Sequence, residues 1–513
     1  MPMPVRFGYV IRESKPIKEK RSMTRQSQWM VWLIACVLAW SLGAGAQDGW
    51  ANENDEVRVT ILHVNDLYQI ASLRNGKLGG FARLTTLRKQ LEKENPNTFV
   101  LFSGDLYEPS ALGNAVVDGR PLLGRHAVDV LNEVGVDYMT FGDHEFNMSA
   151  DQFYDRLGES RFRMLSSNLF EEDGQPFPGV VANGLLSALD EQGRDVTIGV
   201  LGVTKPFRTK IPMKYVDHHE AIAQQLAKLE KRADVIIALT HFPRKEDMAI
   251  AQRYPAINLI LGADDHEHMK LEQEGVATVY KSDSNARSVY VLDLYVNRKA
   301  KSWRMEDRLV QLDESIEQDP TTLAKVEKWI EIGFRGFEAA GIEPRRVLGQ
   351  TPVDLDGLES SIRNRPTRLT QLIGEGMLRA GQDAGAQVAY YPAGLVRLDD
   401  VLPADYVVRE FDVMRTIPFE VDVATVTMAG EALLKVLESG HAKIGTGRYI
   451  IPQGAERDDQ GRWTVQGQAL DPNGTYKVVT LAGPTTENVI AKHGSMKDAL
   501  RNELGRLLKK VAN

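Results

Sequence analysis

The 513-residue chain contains a single cysteine, Cys36, and it lies in the N-terminal leader. The remainder therefore has no disulfide, no thiolate zinc site and no thiol nucleophile. Long apolar runs are almost absent as well; the one that stands out is Trp29 to Ala46. A basic excess is also missing. Without the seven basic and two acidic residues of 1–46, the chain holds 55 basic against 68 acidic residues, a formal net of −13. That balance argues against a surface that coats nucleic acid. Small anionic substrates stay open, because a metal ion can dominate its local field. No internal repeat and no low-complexity segment is found.

The leader is the first feature present. A basic segment (Lys15, Lys18, Lys20, Arg21, Arg25) precedes the apolar run, which ends in Ala44-Gly45-Ala46. This predicts a secretory signal peptide, residues 1–46, cut before Gln47, and a periplasmic or secreted product with no stable membrane span after cleavage. Translation starting at Met23 would lose nothing a signal needs. The alternatives are an uncleaved anchor and lipidation at Cys36. The second is disfavoured because the run stays apolar through Val37, Leu38 and Trp40.

From Glu56 onward, strand-like and helix-like runs alternate, as in an α/β layer fold. Strands are expected over Val57 to Val64, Thr98 to Phe102, Val136 to Phe141, Met164 to Ser166, Val196 to Val203, Asp234 to Leu239 and Ile257 to Leu261. Helices are expected over Phe81 to Glu94 and Gly124 to Val134. A helical connector follows, residues 316–345, and then a smaller mixed α+β region, 346–513. There, Glu410 to Val426 reads as strands broken by Pro418.

Polar residues just past strand C-termini are where open α/β sheets place their sites. Five such junctions carry Asp66, Asp105, Asp143 with His144, His241, and Asp264 with His266. Taken singly, each is ordinary turn chemistry. Together they make a palette of oxygen and imidazole donors that suits Mn²⁺, Mg²⁺, Fe or Zn²⁺. So many donors are too many for one open site and suit two ions, with Asp105 as the natural bridge. Two ions roughly 3.5–4 Å apart activate water and clamp a phosphoryl oxygen.

Leu62 to Tyr68, Ser103-Gly104-Asp105, Gly142 to Asn147, Leu239-Thr240-His241 and Leu261 to His266 resemble, in order, the five metal blocks of the 5′-nucleotidase family. The resemblance runs from Val57 to Glu487. It implies an N-terminal metallophosphoesterase β-sandwich flanked by helices, residues 47–315, and a substrate-binding domain, 346–513. It also implies Asp66 on one metal, Asp105 bridging, Asp143 and His241 on the second, and Asp264 and His266 completing the pair. His144 would assist at the phosphoryl centre, oriented from position 147. His63, inside its strand, reads as structural, and His268 as a surface residue.

Departures from the family pattern concentrate in the metal blocks. Tyr68 stands where the first block has His, Asp143 where the third has Asn, Asn147 where it has Asp, and Asp264 where the last has His. The carboxylate-rich set predicts a harder site that favours Mn²⁺ or Mg²⁺ over Zn²⁺, Fe or Co²⁺. In the C-terminal region, Pro392 to Arg397 resembles the family's phosphate- or ribose-contacting turn and places Arg397 there. Ile417-Pro418-Phe419 resembles its base-stacking motif and assigns Phe419 to the nucleobase. A second stacking aromatic is absent from Leu481 to Pro484. The expectation is an exported metal-dependent phosphoesterase acting on a nucleotide or another phosphate monoester, with no nucleic-acid partner. Two alternatives are an impaired periplasmic binding or scaffold protein on the same fold, and a sulfur-ester hydrolase of SoxB type.

Overall fold

In this computed structural model, residues 55–484 and 486–509 are described. The leader, its cleavage site and Cys36 lie outside them. Among the described residues no helix is long and apolar enough to cross a membrane.

The principal strands of the N-terminal part belong to two sheets. In chain order they are β1 (Val57–Val64), β2 (Thr98–Phe102), β3 (Tyr138–Thr140), β4 (Arg163–Leu165), β5 (Asn183–Leu189), β6 (Asp195–Thr204), β7 (Val235–His241), β8 (Leu259–Gly262), β9 (Thr278–Lys281), β10 (Ser288–Asn297) and β11 (Ser302–Gln311). Helices α1 (Phe81–Glu94), α2 (Arg125–Val134), α3 (Ala150–Glu159), α4 (His218–Leu229) and α5 (Arg244–Arg253) connect them. Strand β1 explains the layering. Val57, Val59 and Ile61 turn to one face and Leu62 and Val64 to the other, and all five are buried. A strand covered on both faces reads as largely apolar, and the polar Thr60 and His63 within it are buried against Asp293 and Ser103.

The first sheet has seven strands in the order β11-β10-β1-β2-β3-β4 followed by Val180–Val181; β1 to β4 run parallel. The second has six, Met269–Leu271 followed by β9-β8-β7-β6-β5, with β6 to β9 parallel. Ile61, Leu101 and Leu292 of the first sheet meet Ile198, Ile237 and Leu261 of the second in one apolar cluster, the interior of a sandwich. Helices α1 and α2 cover the outer face of the first sheet; α4 and α5 cover that of the second. His63 points into the interior. Burial pushes its imidazole down to about 3, despite the opposing field of Asp66, and its Nε2 lies 3.0 Å from the Ser103 hydroxyl.

The expected connector is helix α6 (Pro320–Ala339), started by the Asp319 side chain accepting from Thr322 N. It lies on α1 and α2 and is fastened there by Trp329 Nε1 donating to Asp129 at 2.8 Å. Beyond it come α7 (Arg368–Ala380), β12 (Val388–Pro392), α8 (Glu410–Thr416), β13 (Asp422–Ala429), α9 (Gly430–His441), β14 (Ile450–Gln453), β15 (Thr475–Ala482), β16 (Val489–Ser495) and α10 (Met496–Leu507). Their five-stranded sheet runs β14-β12-β15-β13-β16, with α7 and α10 on one face and α9 on the other. One expectation fails here: Glu410 to Thr416 is helix, not strand. Asp412 accepts from Arg409 N at 2.8 Å, an N-terminal capping contact that a period-two reading of the apolar residues overlooks. The strand begins only after Pro418, at Asp422.

The loop after β2 buries Glu108, whose carboxyl accepts from Ser110 N and is pushed up by burial to about 8. Between pH 4.5 and about 8 the folded chain holds a proton that the unfolded chain has released. This group's contribution to stability is therefore lost as pH rises through that window. Relative to Glu108→Gln, the native chain should lose about 3 kcal/mol between roughly pH 5 and pH 8. Urea denaturation of both proteins at the two pH values measures it.

Candidate metal centre

The C-terminal ends of β1, β2, β3, β7 and β8 face one spot, and the turns that leave them carry the donors. Asp66, Asp105, Asp264 and His266 all take left-handed backbone (φ +53° to +78°), which swings their side chains back over the strand ends. Gly104 (φ +92°) permits the closest approach: a Cβ there would sit 2.4 Å from Gly142 N. One at Gly142 would fall 2.0 Å from the Asp105 carboxylate. The Ser-Gly-Asp and Gly-Asp-His spellings thus follow from two turns pressed together.

Glu145 fastens that junction. Its buried carboxylate accepts from Leu106 N and Gly142 N, both at 2.6 Å, and from Asp105 N at 3.1 Å and Tyr107 N at 3.3 Å. Burial, reinforced by the Asp105 charge, pushes it up to about 7, and the amides of the junction oppose that rise. Lys281 does comparable work on the other side. Its fully buried ammonium donates to Phe242 O at 2.6 Å and Ala263 O at 2.7 Å, tying the ends of β7 and β8 together.

All six expected ligands come together. Donor atoms of Asp66, Asp105 and His241 lie within 4.8 Å of one another, and so do those of Asp143, His241 and Asp264. His266 Nε2 joins at 3.4 Å from Asp66. The two imidazoles are turned as ligands. His241 Nδ1 faces the Ser103 carbonyl at 2.9 Å, and His266 Nδ1 faces the Asp399 carboxylate at 3.0 Å. Neither oxygen can donate, so each Nδ1 carries a proton, and each Nε2 faces inward as the atom that would ligate a metal once its own proton is displaced. His241 Nε2 is buried without a hydrogen-bond partner, and Asp143 Oδ1, 3.5 Å from it, is met by the Lys205 ammonium at 3.0 Å. Burial opposes charge on His241, yet Asp105 and its neighbours hold the imidazole well above its ordinary range. A buried, unpartnered ring nitrogen among carboxylates fits a cation. The donor chemistry, four carboxylates and two imidazoles, fits a hard divalent ion.

Tyr68 and Lys205 complete the picture. The Tyr68 hydroxyl donates to Asp105 at 2.7 Å and lies 3.3 Å from both Asp66 and His266, so it stands among the donors in the place of the family's histidine. Burial and the flanking carboxylates keep it protonated. The Lys205 ammonium pairs with Asp143 at 3.0 Å and with Asp264 more closely still. It follows β6 directly, a sixth strand end at which the sequence shows no metal-ligand residue.

His144 stands at the rim. Its amide donates to Asp105 at 3.0 Å, Arg397 Nη2 lies 3.4 Å from its Nε2, and the Asn147 amide lies 2.5 Å from its Nδ1. A guanidinium only donates, so Nε2 accepts, Nδ1 bears the proton, and Asn147 satisfies it through its oxygen once the amide is turned. Burial pushes this imidazole down, and Arg397 adds to the shift against the pull of Asp105. Phe419 is half-buried and lines an open cavity of about 840 Å³ with Asn147, Met148, Arg208 and Lys210. His268 is on the surface, paired with Asp283.

Other contributors give no local signal. Asp399 accepts from His266 and Ser284; Glu359 accepts from Arg397 at 2.9 Å and pairs with Arg363. They come from the C-terminal part, 133 residues from His266 in the case of Asp399, so spacing within the metal blocks cannot reveal them.

Paired sheets with carboxylates and imidazoles gathered at their strand ends define a calcineurin-like phosphoesterase, and the family model of that description matches residues 59–268. A second model, the 5′-nucleotidase C-terminal domain, matches residues 347–488. Carrying the two in tandem, the chain belongs to the 5′-nucleotidase family. It is 25% identical over 484 residues to the trifunctional nucleotide phosphoesterase YfkN of Bacillus subtilis, covering 82% of this chain. It spans 31% of the length of that protein, and 62% and 59% of the 5′-nucleotidases of Diplobatis ommata and Homo sapiens that it also matches. Among solved structures, a 5′-nucleotidase precursor of Thermus thermophilus superposes with a TM-score of 0.70 at 19% identity, covering 89% of this chain and 98% of that one. The sulfate thiohydrolase SoxB of the same species gives 0.69 at 16% identity, covering 89% and 95%. These likenesses are of fold.

Glu145→Ala would leave four buried backbone N–H groups without an acceptor. A loss of about 3 kcal/mol or more is expected, read by urea denaturation of the metal-free protein.

Proposed function

We propose that the chain is an exported, metal-dependent phosphoesterase that hydrolyses phosphate monoesters, nucleotides among them. The observation that carries this is the convergence of Asp66, Asp105, Asp143, His241, Asp264 and His266 with both imidazole Nε2 atoms turned inward. These residues would hold divalent metal, up to two ions, with Mn²⁺ or Mg²⁺ favoured by the carboxylate majority. Bound there, the metal supplies Lewis acidity to the phosphoryl oxygens and lowers the pKa of the attacking water.

The chain's own residues supply the rest. Arg397 sits beside His144 and offers a guanidinium to a phosphate or ribose oxygen. Arg208 and Lys210 on the cavity wall favour an anion, and the Phe419 ring offers a face to a base. His144 is neutral as it stands, with its Nε2 lone pair toward Arg397. It can take a proton or hydrogen-bond at the phosphoryl centre only when Arg397 turns to substrate. The export reading rests on residues 1–46, and the domain limits proposed are 47–315 and 346–513 around the 316–345 helix.

A second reading, a binding or scaffold protein of the same fold, is favoured by one observation: an amide, not a carboxylate, orients His144. Loss of an orienting carboxylate costs rate by orders of magnitude in other catalytic imidazoles. The two readings separate in one assay, with aryl phosphate and a nucleotide panel under Mn²⁺, Mg²⁺, Co²⁺ and Zn²⁺. Turnover abolished by chelation, by Asp105→Ala and by His144→Ala is expected. No turnover with any ion would remove the phosphoesterase reading and favour the binding one. Asn147→Asp should raise kcat by about 10-fold or more, because the carboxylate would stabilise the imidazolium. An unchanged kcat would remove His144 from the rate-limiting step.

A further inference from the structure

We infer that the Lys205 ammonium is a built-in cation of the metal centre. It takes the outer cation position, so that the chain binds one divalent ion tightly and a second only by displacing the lysine. The inference rests on the reading that the carboxylate cluster binds cations, and it concerns how many.

Two overlapping trios of donors share His241. The inner one is Asp66, Asp105 and His241; the outer one is Asp143, His241 and Asp264. Lys205 pairs with Asp143 and Asp264, two of the three outer donors, and its ion pairs do not include Asp66. The contact atom on Asp143 is Oδ1, the same atom that faces His241 Nε2 at 3.5 Å. The ammonium and an ion at the outer trio therefore draw on one carboxylate oxygen.

Charge points the same way. Asp143 and Asp264 are the two outer positions at which the family pattern has neutral donors, so this chain adds two negative charges within 4.8 Å of His241. Like charges so close in a buried turn need a counter-charge. The fold provides it from the backbone position directly after β6. Lys205 N donates to His241 O at 3.1 Å, and the preceding Thr204 hydroxyl donates to Phe141 O at 2.6 Å. The lysine thus springs from a fixed point between the β7 end that bears His241 and the β3 end that leads to Asp143. Its side chain is largely buried, with 23% of its surface exposed. The inner trio has a different neighbour, the neutral Tyr68 hydroxyl, which leaves the charge of Asp66 and Asp105 for a metal to neutralise.

The experiment uses metal-free full-length protein, Mn²⁺ as the probe, and Lys205→Met and Lys205→Arg as variants. Mn²⁺ retained after gel filtration is counted by elemental analysis, titrations give the affinities, and electron paramagnetic resonance distinguishes isolated from exchange-coupled ions. The native chain and Lys205→Arg should retain one equivalent with the spectrum of an isolated ion. Lys205→Met should retain two, exchange-coupled, with the second bound at least about 10-fold tighter than in the native chain. Two tight equivalents in the native chain, or no tightening in Lys205→Met, would overturn the inference and leave the phosphoesterase reading intact. If Lys205→Met does not fold, the native stoichiometry decides alone. No Mn²⁺ retained by either protein would bring down both readings.

Discussion

Four carboxylates crowded at the ends of parallel strands repel one another, and the rest of the centre is arranged to tolerate that repulsion. Asp66, Asp105 and the two flanking aspartates lie where bulk water screens them poorly. The compensation comes from several directions. Amides from opposing turns point at Asp105 and Asp66, the Tyr68 hydroxyl bonds to Asp105, and Lys205 pairs with the outer two. The imidazoles of His241 and His266 are drawn toward charge by the same field. A cluster of this kind is costly in an empty protein and favourable around a cation. That asymmetry is a reason to expect strong coupling between metal binding and stability.

The scaffold meets this demand with rigid elements rather than with the donors themselves. Glu145 and Lys281 carry opposite charge, and each gathers backbone from two strand ends. Their burial is tolerated because amides surround Glu145, while carbonyls and the paired carboxylates of Asp247 and Asp265 surround Lys281. Glu145 sits in the same six-residue turn as Asp143 and His144, so one short segment both supplies donors and fixes the neighbouring loop that supplies Asp105.

Much of the fold is legible in the sequence because it rests on local pattern. The spans of β1, α1 and β2 follow from apolar runs and their glycine or Asn-Pro stops, and the metal donors are legible because most sit just past such a run. The helix at Glu410–Thr416 escapes that pattern, since its signal is a capping carboxylate and not a hydrophobic period. Lys205 escapes it for a different reason: a lysine at a strand end carries no metal-ligand signature, and only the fold shows it lying between two aspartates. Asp399 and Glu359 are out of reach in principle, because their partners are brought near by tertiary packing alone.

The contact between His266 and Asp399 carries one more consequence. The imidazole belongs to the N-terminal part and the carboxylate that sets its proton to the C-terminal part. The two halves are therefore joined through the centre itself, and neither owns it. A chain cut after the connecting helix would still spell every donor, but the ring of His266 would lose its bearing. Any other C-terminal half would have to bring an acceptor to the place of Asp399 for that ring to keep its orientation.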